Sequence, residues 1–278
     1  MLLQIEEPSA KPDDEPPDPG LAIGIELTDT SLRIAISIGG NAEIVPGAQG
    51  GDFLPAIMAY DADGDRVVGD DAVALAHDPA RGPSWVGHPA LAQPDAVDAR
   101  GATAIDRLSL LVLEAKRRVE RAARRFVTRA VVVAPITADQ AARLALIQAI
   151  EAAGIEVLRL IDRPLALAWG GGLDRSVDGV YLGLLRRDGD AGAALVELEG
   201  GRLRLIAAVP AVDDGDLRAA IAAALEQADR APASLAGVFC DGSVDPATLP
   251  PGLATRPIHL DAPGVAVLGA ALAAEAWS

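Results

Sequence analysis

The sequence predicts a duplicated α/β domain, two halves of like construction with a cleft between them. Three observations carry that prediction. Half of the 278 residues are apolar and only 3% are aromatic, which suits a core of Ala, Val, Leu and Ile in alternating strands and helices. Short apolar runs of strand length cluster at 22–27, 32–38, 42–45 and 56–60, and again at 179–185, 193–198 and 202–209. Each cluster is followed by alternating helices and strands, so one order of elements occurs twice.

The elements follow in chain order. Residues 22–27 run into a polar turn, Thr28-Asp-Thr-Ser31, and 32–38 alternates as a strand before Gly39-Gly40-Asn41 turns the chain again. With 42–45 and 56–60 these segments are expected to form one antiparallel meander. Pro and Gly make 81–100 irregular. A long amphipathic helix is predicted over 104–126, with Leu108, Leu111, Val112, Ala115 and Val119 on one side. A buried strand, 129–134, stops at Pro135. Thr137 is then expected to cap a helix running to 153 and ended by Gly154. Strand 156–161 leads to Pro164, which suits the first turn of another helix. The second half offers a hairpin around Arg187-Asp-Gly-Asp190, a third strand at 202–209, helix 216–228, strand 237–240 and a last helix at 265–277.

Charge narrows the function classes. Twenty-four basic and 40 acidic residues give a net −16, which disfavours binding to phosphate backbones or anionic lipid. Scarce aromatics argue against stacking platforms for single strands. A lone cysteine, Cys240, excludes an internal disulfide, and three scattered histidines (His77, His88, His259) do not make a metal set. The start shows no positively charged leader and no apolar run spans a bilayer, so a cytoplasmic protein without membrane insertion is expected. Residues 1–20 are expected to form a disordered acidic, Pro-rich tail, with six acids against Lys11. Leu2, Leu3 and Ile5 give it an alternative reading as a partner-binding arm.

Ordered motifs then point to a family. Ala22-Ile-Gly-Ile-Glu-Leu-Thr-Asp-Thr-Ser31 resembles the first phosphate loop of the seventy-kilodalton heat-shock chaperones, which reads Gly-Ile-Asp-Leu-Gly-Thr-Thr-Asn. Gln49 to Tyr60 and Asp63 to Asp70 are similar to the segments that follow it there. Val131 to Gln140 and Ala153 to Pro164 keep the family's spacing without a gap, and Gly172-Leu-Asp174 closes the stretch. Val238-Phe-Cys-Asp-Gly-Ser243 is similar to the adenosine-site turn, and Val265 to Ala271 to the last helix. The chain is thus identified as resembling the nucleotide-binding domain of the heat shock protein 70 family. That resemblance implies an actin-like, duplicated ribonuclease H-type fold. Lobe I would be 21–174, with a small inserted subdomain at about 46–103, and lobe II 175–278, with the final helix at the lobe junction. The short span between 209 and 238 implies that the outer subdomain of lobe II is missing. The same comparison leads one to expect no interdomain linker and no peptide-binding domain after the last helix.

An ATPase of this kind needs glycine backbones close to the phosphates, carboxylates holding magnesium through water, and a lysine and a carboxylate around the attacking water. The resemblance places a vestigial nucleotide cleft at Gly24, Glu26, Thr28, Thr30, Gly189, Gly242 and Ser243. Within it Glu26 replaces an Asp, Thr28 a Gly and Asp29 a Thr. Arg163 stands where the family has its catalytic glutamate, and the 82–92 stretch that would supply a catalytic lysine contains none. In the second loop Leu185 takes the place of the magnesium-side Asp, with Arg187 and Asp188 for glycines. Asp213-Asp214 replaces the Gly-Gly pair that faces the phosphates, and Asp245 stands near the expected base-stacking Arg.

No catalytic or metal-binding residue is therefore assigned. Asp188 with Asp190, or Asp213, Asp214 and Asp216, could hold calcium, against the plainer reading of solvated turns. The Lys116, Arg117, Arg118, Arg121, Arg124, Arg125 cluster reads as an anion or acidic-partner site, or as a solvated helix face. Ser84 and Ser243 lack a supporting His-Asp pattern. The expected function is a pseudo-ATPase scaffold or adaptor with another protein as partner, no nucleic acid and no cofactor. One alternative is a divergent ATP/ADP-binding regulator that retains nucleotide with magnesium. The other is an actin-like assembly protein.

Overall fold

The computed structural model describes residues 20–47, 50–98, 100–187, 189–211, 214–242, 249, 258–260, 262 and 264–278. The predicted tail lies outside these residues except for Gly20. β1 (Leu21–Leu27), β2 (Ser31–Ile38) and β3 (Asn41–Ile44) form the expected antiparallel meander, and β4 (Leu54–Pro55) adds a short pairing to β2. The 56–60 run does not extend it. It becomes β5 (Ile57–Tyr60), the middle strand of a separate sheet with β6 (Arg66–Val68) and β7 (Ser84–Trp85). β5 is apolar on both faces. Ile57 and Ala59 pack on Ala72 of α1 (Asp70–Leu75), and Met58 and Tyr60 join the main core. A run buried on both sides carries no alternation to say which sheet it belongs to.

α2 (Ala104–Ala123) begins with a capping box. The Thr103 hydroxyl accepts from the Asp106 N–H at 3.0 Å, and the Asp106 carboxylate accepts from the Thr103 N–H at 2.9 Å. The helix stops short of the predicted residue 126 because Arg124 turns left-handed, φ 54°, and β8 (Val127–Ala134) starts at once. The next cap also differs. Asp139, not Thr137, starts α3 (Gln140–Ala152) by accepting from the Ala142 N–H at 2.8 Å. A carboxylate is the stronger acceptor, and Thr137 is engaged elsewhere, as described below. β9 (Glu156–Asp162) and α4 (Arg163–Gly170) follow, with Pro164 in the first turn. Then come β10 (Gly179–Arg187), β11 (Asp190–Glu199), β12 (Arg202–Pro210), α5 (Asp214–Gln227), β13 (Gly237–Asp241), β14 (Ile258–His259) and α6 (Val265–Trp277).

The two large sheets have the same strand order. One runs β3-β2-β1-β8-β9 and the other β12-β11-β10-β13-β14. In each, the first strand of the meander is central, antiparallel to the second strand and parallel to the fourth, and the fourth is parallel to the fifth.

Alternation along the strands divides the core. In β1, Leu21, Ile23, Ile25 and Leu27 face the core built on α2 and α3, while Ala22 and Gly24 face the opposite way. In β10, Val180, Leu182 and Leu184 pack with α5, while Tyr181 and Leu185 face away from it. A single cluster of buried side chains continues from Ala22 and Val131 through α4 and α6 to Tyr181, Val196 and Phe239, joining the inner faces of both sheets. α4 and α6 cross closely because a Cβ at Gly269 would lie 2.0 Å from the Ala166 oxygen. Among the described residues no helix is long and apolar enough to cross a membrane.

Candidate functional site

Where the inner faces reach the carboxyl ends of β1, β9 and β13, the side chains change from aliphatic to charged. Arg163, the first residue of α4, is only 4% exposed and reaches carboxylates from both sheets. Its Nη2 lies 2.8 Å from Asp241 Oδ2 at the end of β13 and 3.6 Å from Glu26 Oε1 in β1. Its Nε lies 3.9 Å from Asp190 Oδ2 at the start of β11. The outer oxygens are paired as well, Glu26 Oε2 with Arg33 Nη1 at 3.7 Å and Asp241 Oδ1 with Arg187 Nε at 2.9 Å. Three carboxylates therefore alternate with three guanidiniums. Buried charge persists only when compensated in this way.

Asp190 has further donors. It accepts from the Ile136 N–H at 3.1 Å, from the Thr137 N–H at 3.3 Å and from the Thr137 hydroxyl at 3.3 Å. This is what removes Thr137 from the α3 cap, and it ties β11 to the connection after β8.

The β1–β2 turn is closed on itself. The Thr28 hydroxyl accepts from the Ser31 N–H at 3.0 Å and from the Thr30 N–H at 3.4 Å, and it lies 2.8 Å from the Ser31 hydroxyl. The turn's amides thus point inward, as short hydroxyl side chains favour. Asp29, at the tip, packs against the β10–β11 turn. Gly189 there has φ 78°, and a Cβ on it would lie 1.8 Å from an Asp29 carboxylate oxygen. Behind the turn, a Cβ at Gly87 would lie 1.9 Å from the Asp29 carbonyl oxygen.

Comparison with known proteins agrees with the motifs. Residues 101–207 match the family model described as Hsp70 protein. The chain is 30% identical over 229 residues to the chaperone protein HscA homolog of Burkholderia multivorans, an alignment covering 74% of this chain and 36% of that one. It is 34% identical over 203 residues to the HscA homolog of Aromatoleum aromaticum, covering 65% and 32%. A third, from Acidovorax sp. strain JS42, is 34% identical over 205 residues, covering 65% and 33%. The chain carries an Hsp70-family nucleotide-binding region. It spans about a third of the length of these relatives.

In this Hsp70-family region the groups that a magnesium triphosphate would use are engaged by the protein itself. Such a ligand needs amides aimed outward, cations available to phosphate oxygens, and carboxylates open to metal-bound water. Here Thr28 draws in the Thr30 and Ser31 amides, each guanidinium faces a carboxylate, and Asp29 fills the approach to Gly189. Leu185, aligned by the resemblance with the magnesium-side Asp, is wholly buried in the core.

The sequence-selected residues fall in several places. Glu26 is in the charge network, Thr28 and Thr30 are in the first turn, and Gly189 is in the second. Gly24 lies in mid-strand, where a Cβ would meet the Ala271 nitrogen at 2.5 Å and the Val267 oxygen at 2.6 Å, so it serves packing against α6. Gly242 lies against β10, where a Cβ would be 2.7 Å from the Arg186 oxygen. Ser243, Asp188, Asp213 and Asp245 lie outside the described residues. The proposed calcium ligand Asp190 is engaged by Arg163 and three donors. Sequence reasoning missed Arg33, Asp190 and Asp241 as partners of Arg163 and Glu26. The signal available was a charge set inside the apolar run Leu32–Ile36 and another directly after Val238–Cys240, each of which demands a partner when buried.

A separate cavity of about 440 Å³ lies between β9 and β12, lined by Arg159, Leu165, Trp169, Leu203 and Trp277 among others. Trp169 and Trp277 meet edge to face at 5.8 Å, and the Arg159 guanidinium stacks 4.8 Å from the Trp277 ring.

Proposed function

We propose that this chain is a heat-shock-chaperone-like pseudo-ATPase that acts as a protein-binding scaffold or adaptor. The single observation that carries the reading is Arg163, buried among Glu26, Asp190 and Asp241, where a catalytic acid is expected. Its positive charge is spent on holding the protein's own carboxylates, and it cannot position a water for attack on phosphate. Hsp70-family homology supports chaperone-like work in the broad sense. We read the body as actin-like, with lobe I at 21–174, lobe II at 175–278 and the charge network at the cleft between them. The matched strand orders of the two sheets support that reading. α5 is the sole long helix between β12 and β13 among the described residues, which supports a missing outer subdomain. The partner on this reading is another protein, in the cytoplasm, with no cofactor.

Calorimetric titration of ATP and ADP with magnesium, with a hydrolysis assay on the same preparation, tests the proposal. The expected result is no binding in the micromolar range and no turnover. Micromolar binding without hydrolysis selects the nucleotide-binding regulator instead. Magnesium-dependent turnover abolished by Glu26→Ala ends the pseudo-ATPase reading.

A further inference from the structure

The end of α2 gathers exposed cations in a chain whose net charge is −16. Arg117 and Arg121, four residues apart, share one face of α2, and Arg124 follows at its left-handed cap, so the three backbone positions lie within roughly 10 Å along the axis at the helical rise. Their neighbours in sequence are used otherwise. The Lys116 Nζ donates to the Gly154 carbonyl at 2.9 Å, and Arg118 pairs with Asp70 at 3.1 Å and with Glu114 at 3.0 Å. The Arg121 side chain is 67% exposed, with Glu114 at 3.6 Å. Among the described residues no carboxylate pairs with the exposed Arg117 or Arg124. Phe126, 79% exposed, flanks these arginines.

The chain enters the body at this spot. The Leu21 N–H donates to the Phe126 carbonyl at 2.7 Å, and Arg125 Nη2 donates to the Gly20 carbonyl at 3.3 Å. Gly20, which residues 1–19 precede in the chain, therefore lies beside the arginines. Asp13, Asp14, Glu15 and Asp18 all lie within seven residues of Gly20.

We propose that Arg117, Arg121 and Arg124, with Phe126, form a docking surface for an acidic peptide segment, and that residues 13–18 of the same chain are its resident occupant. Individual exposed ion pairs are weak, but tethering gives the arm an effective concentration in the millimolar range. An acidic segment of another protein binds there only by displacing the arm. The surface thus deepens the scaffold reading by naming a partner class, and it is independent of whether nucleotide binds.

Cys240 is buried, so Ser9→Cys in the full chain supplies the accessible thiol for a nitroxide label. Paramagnetic broadening of backbone amides then reports where the arm lies. At about 50 mM salt, broadening should centre on residues 117–126. It should fall roughly threefold or more at about 1 M salt, where the screening length shrinks to about 3 Å. It should fall equally in Arg117→Gln/Arg121→Gln/Arg124→Gln and in Asp13→Asn/Asp14→Asn/Glu15→Gln/Asp18→Asn, two variants that leave the core untouched. Broadening indifferent to salt and to both variants reflects the tether alone and overturns the proposal. So does broadening centred on another face, or broadening that grows with protein concentration and marks the arm on a second copy. None of these outcomes bears on the nucleotide titration.

Discussion

Replacing Arg163 by methionine keeps an unbranched apolar stem and removes the charged guanidinium. Coulomb's law at an effective dielectric of about 20 gives about 6 kcal/mol at the 2.8 Å contact to Asp241, and about 4–5 kcal/mol each at the 3.6 and 3.9 Å contacts to Glu26 and Asp190. Desolvating the guanidinium offsets much of this, so the intact network contributes little net stability. Removing its centre is different. It leaves three carboxylates, each about 2% exposed or less, with Arg33 and Arg187 as the guanidiniums that remain in the network. The expected loss is about 3–5 kcal/mol, or very roughly 6–20 °C in melting temperature for a chain of this size. Arg163→Glu, which restores the acid expected in the family, should cost more, because it sets four carboxylates against two guanidiniums. Urea denaturation followed by circular dichroism measures both. Adding Asp241→Asn to Arg163→Met should cost about 1–3 kcal/mol less than the sum of the single changes. A loss below about 1 kcal/mol for Arg163→Met, or a stable Arg163→Glu variant, would refute the reasoning.

Two glycines can be tested by the same unfolding assay. Gly24→Ala should cost about 1–3 kcal/mol, because the new methyl meets α6 backbone rather than a movable side chain; a neutral result would mean that α6 yields. Gly189→Ala should cost about 1–2 kcal/mol for the left-handed backbone alone, and an unchanged midpoint would count against the contact between the two turns. The Asp106 carboxyl is held below its ordinary value of 3.8 by the N–H and hydroxyl of Thr103. A depressed folded pKa means that its contribution is fully present above about pH 4 and is lost as pH falls through the lower folded value. Thr103→Ala should therefore cost about 1 kcal/mol at pH 7 and flatten the acid limb of stability against pH; an acid limb with unchanged slope would remove Asp106 from that account.

The α2 stripe from Leu108 to Val119 was legible because burial on one side leaves a period of 3.6 residues. β1 and β10, the first strands of the two meanders, are buried on both faces, and the meanders were legible because turn residues such as Thr28–Ser31 and Gly39–Asn41 punctuate their apolar runs. The errors share a cause. β5 is buried on both faces and so carries no period. Thr137 was a sound helix cap until Asp190, more than fifty residues away, claimed its hydroxyl. The site was legible by half. Glu26, Thr28 and Arg163 were marked by departures from a known pattern and Gly189 by agreement with it, whereas Arg33 and Asp241 matter only through partners that folding supplies. Gly24 shows the converse, since a motif position suggested nucleotide and the close approach it permits is to α6.

The proposed loss of nucleotide follows from the network as a whole. Arg163 at this position introduces a buried positive charge, which requires a carboxylate from the facing sheet, and Asp241 supplies it. Asp241 and Glu26 then each need a second cation, and Arg187 and Arg33 supply those. A triphosphate entering here must take cations from carboxylates that stay buried. Micromolar affinity corresponds to about 8 kcal/mol, and stripping the partner from two buried carboxylates costs about 6–10 kcal/mol. The two quantities nearly cancel. On this reading, reverting any one position leaves the remaining pairs to oppose phosphate, and nucleotide affinity returns only when Arg163, Asp29 and Thr28 are replaced together.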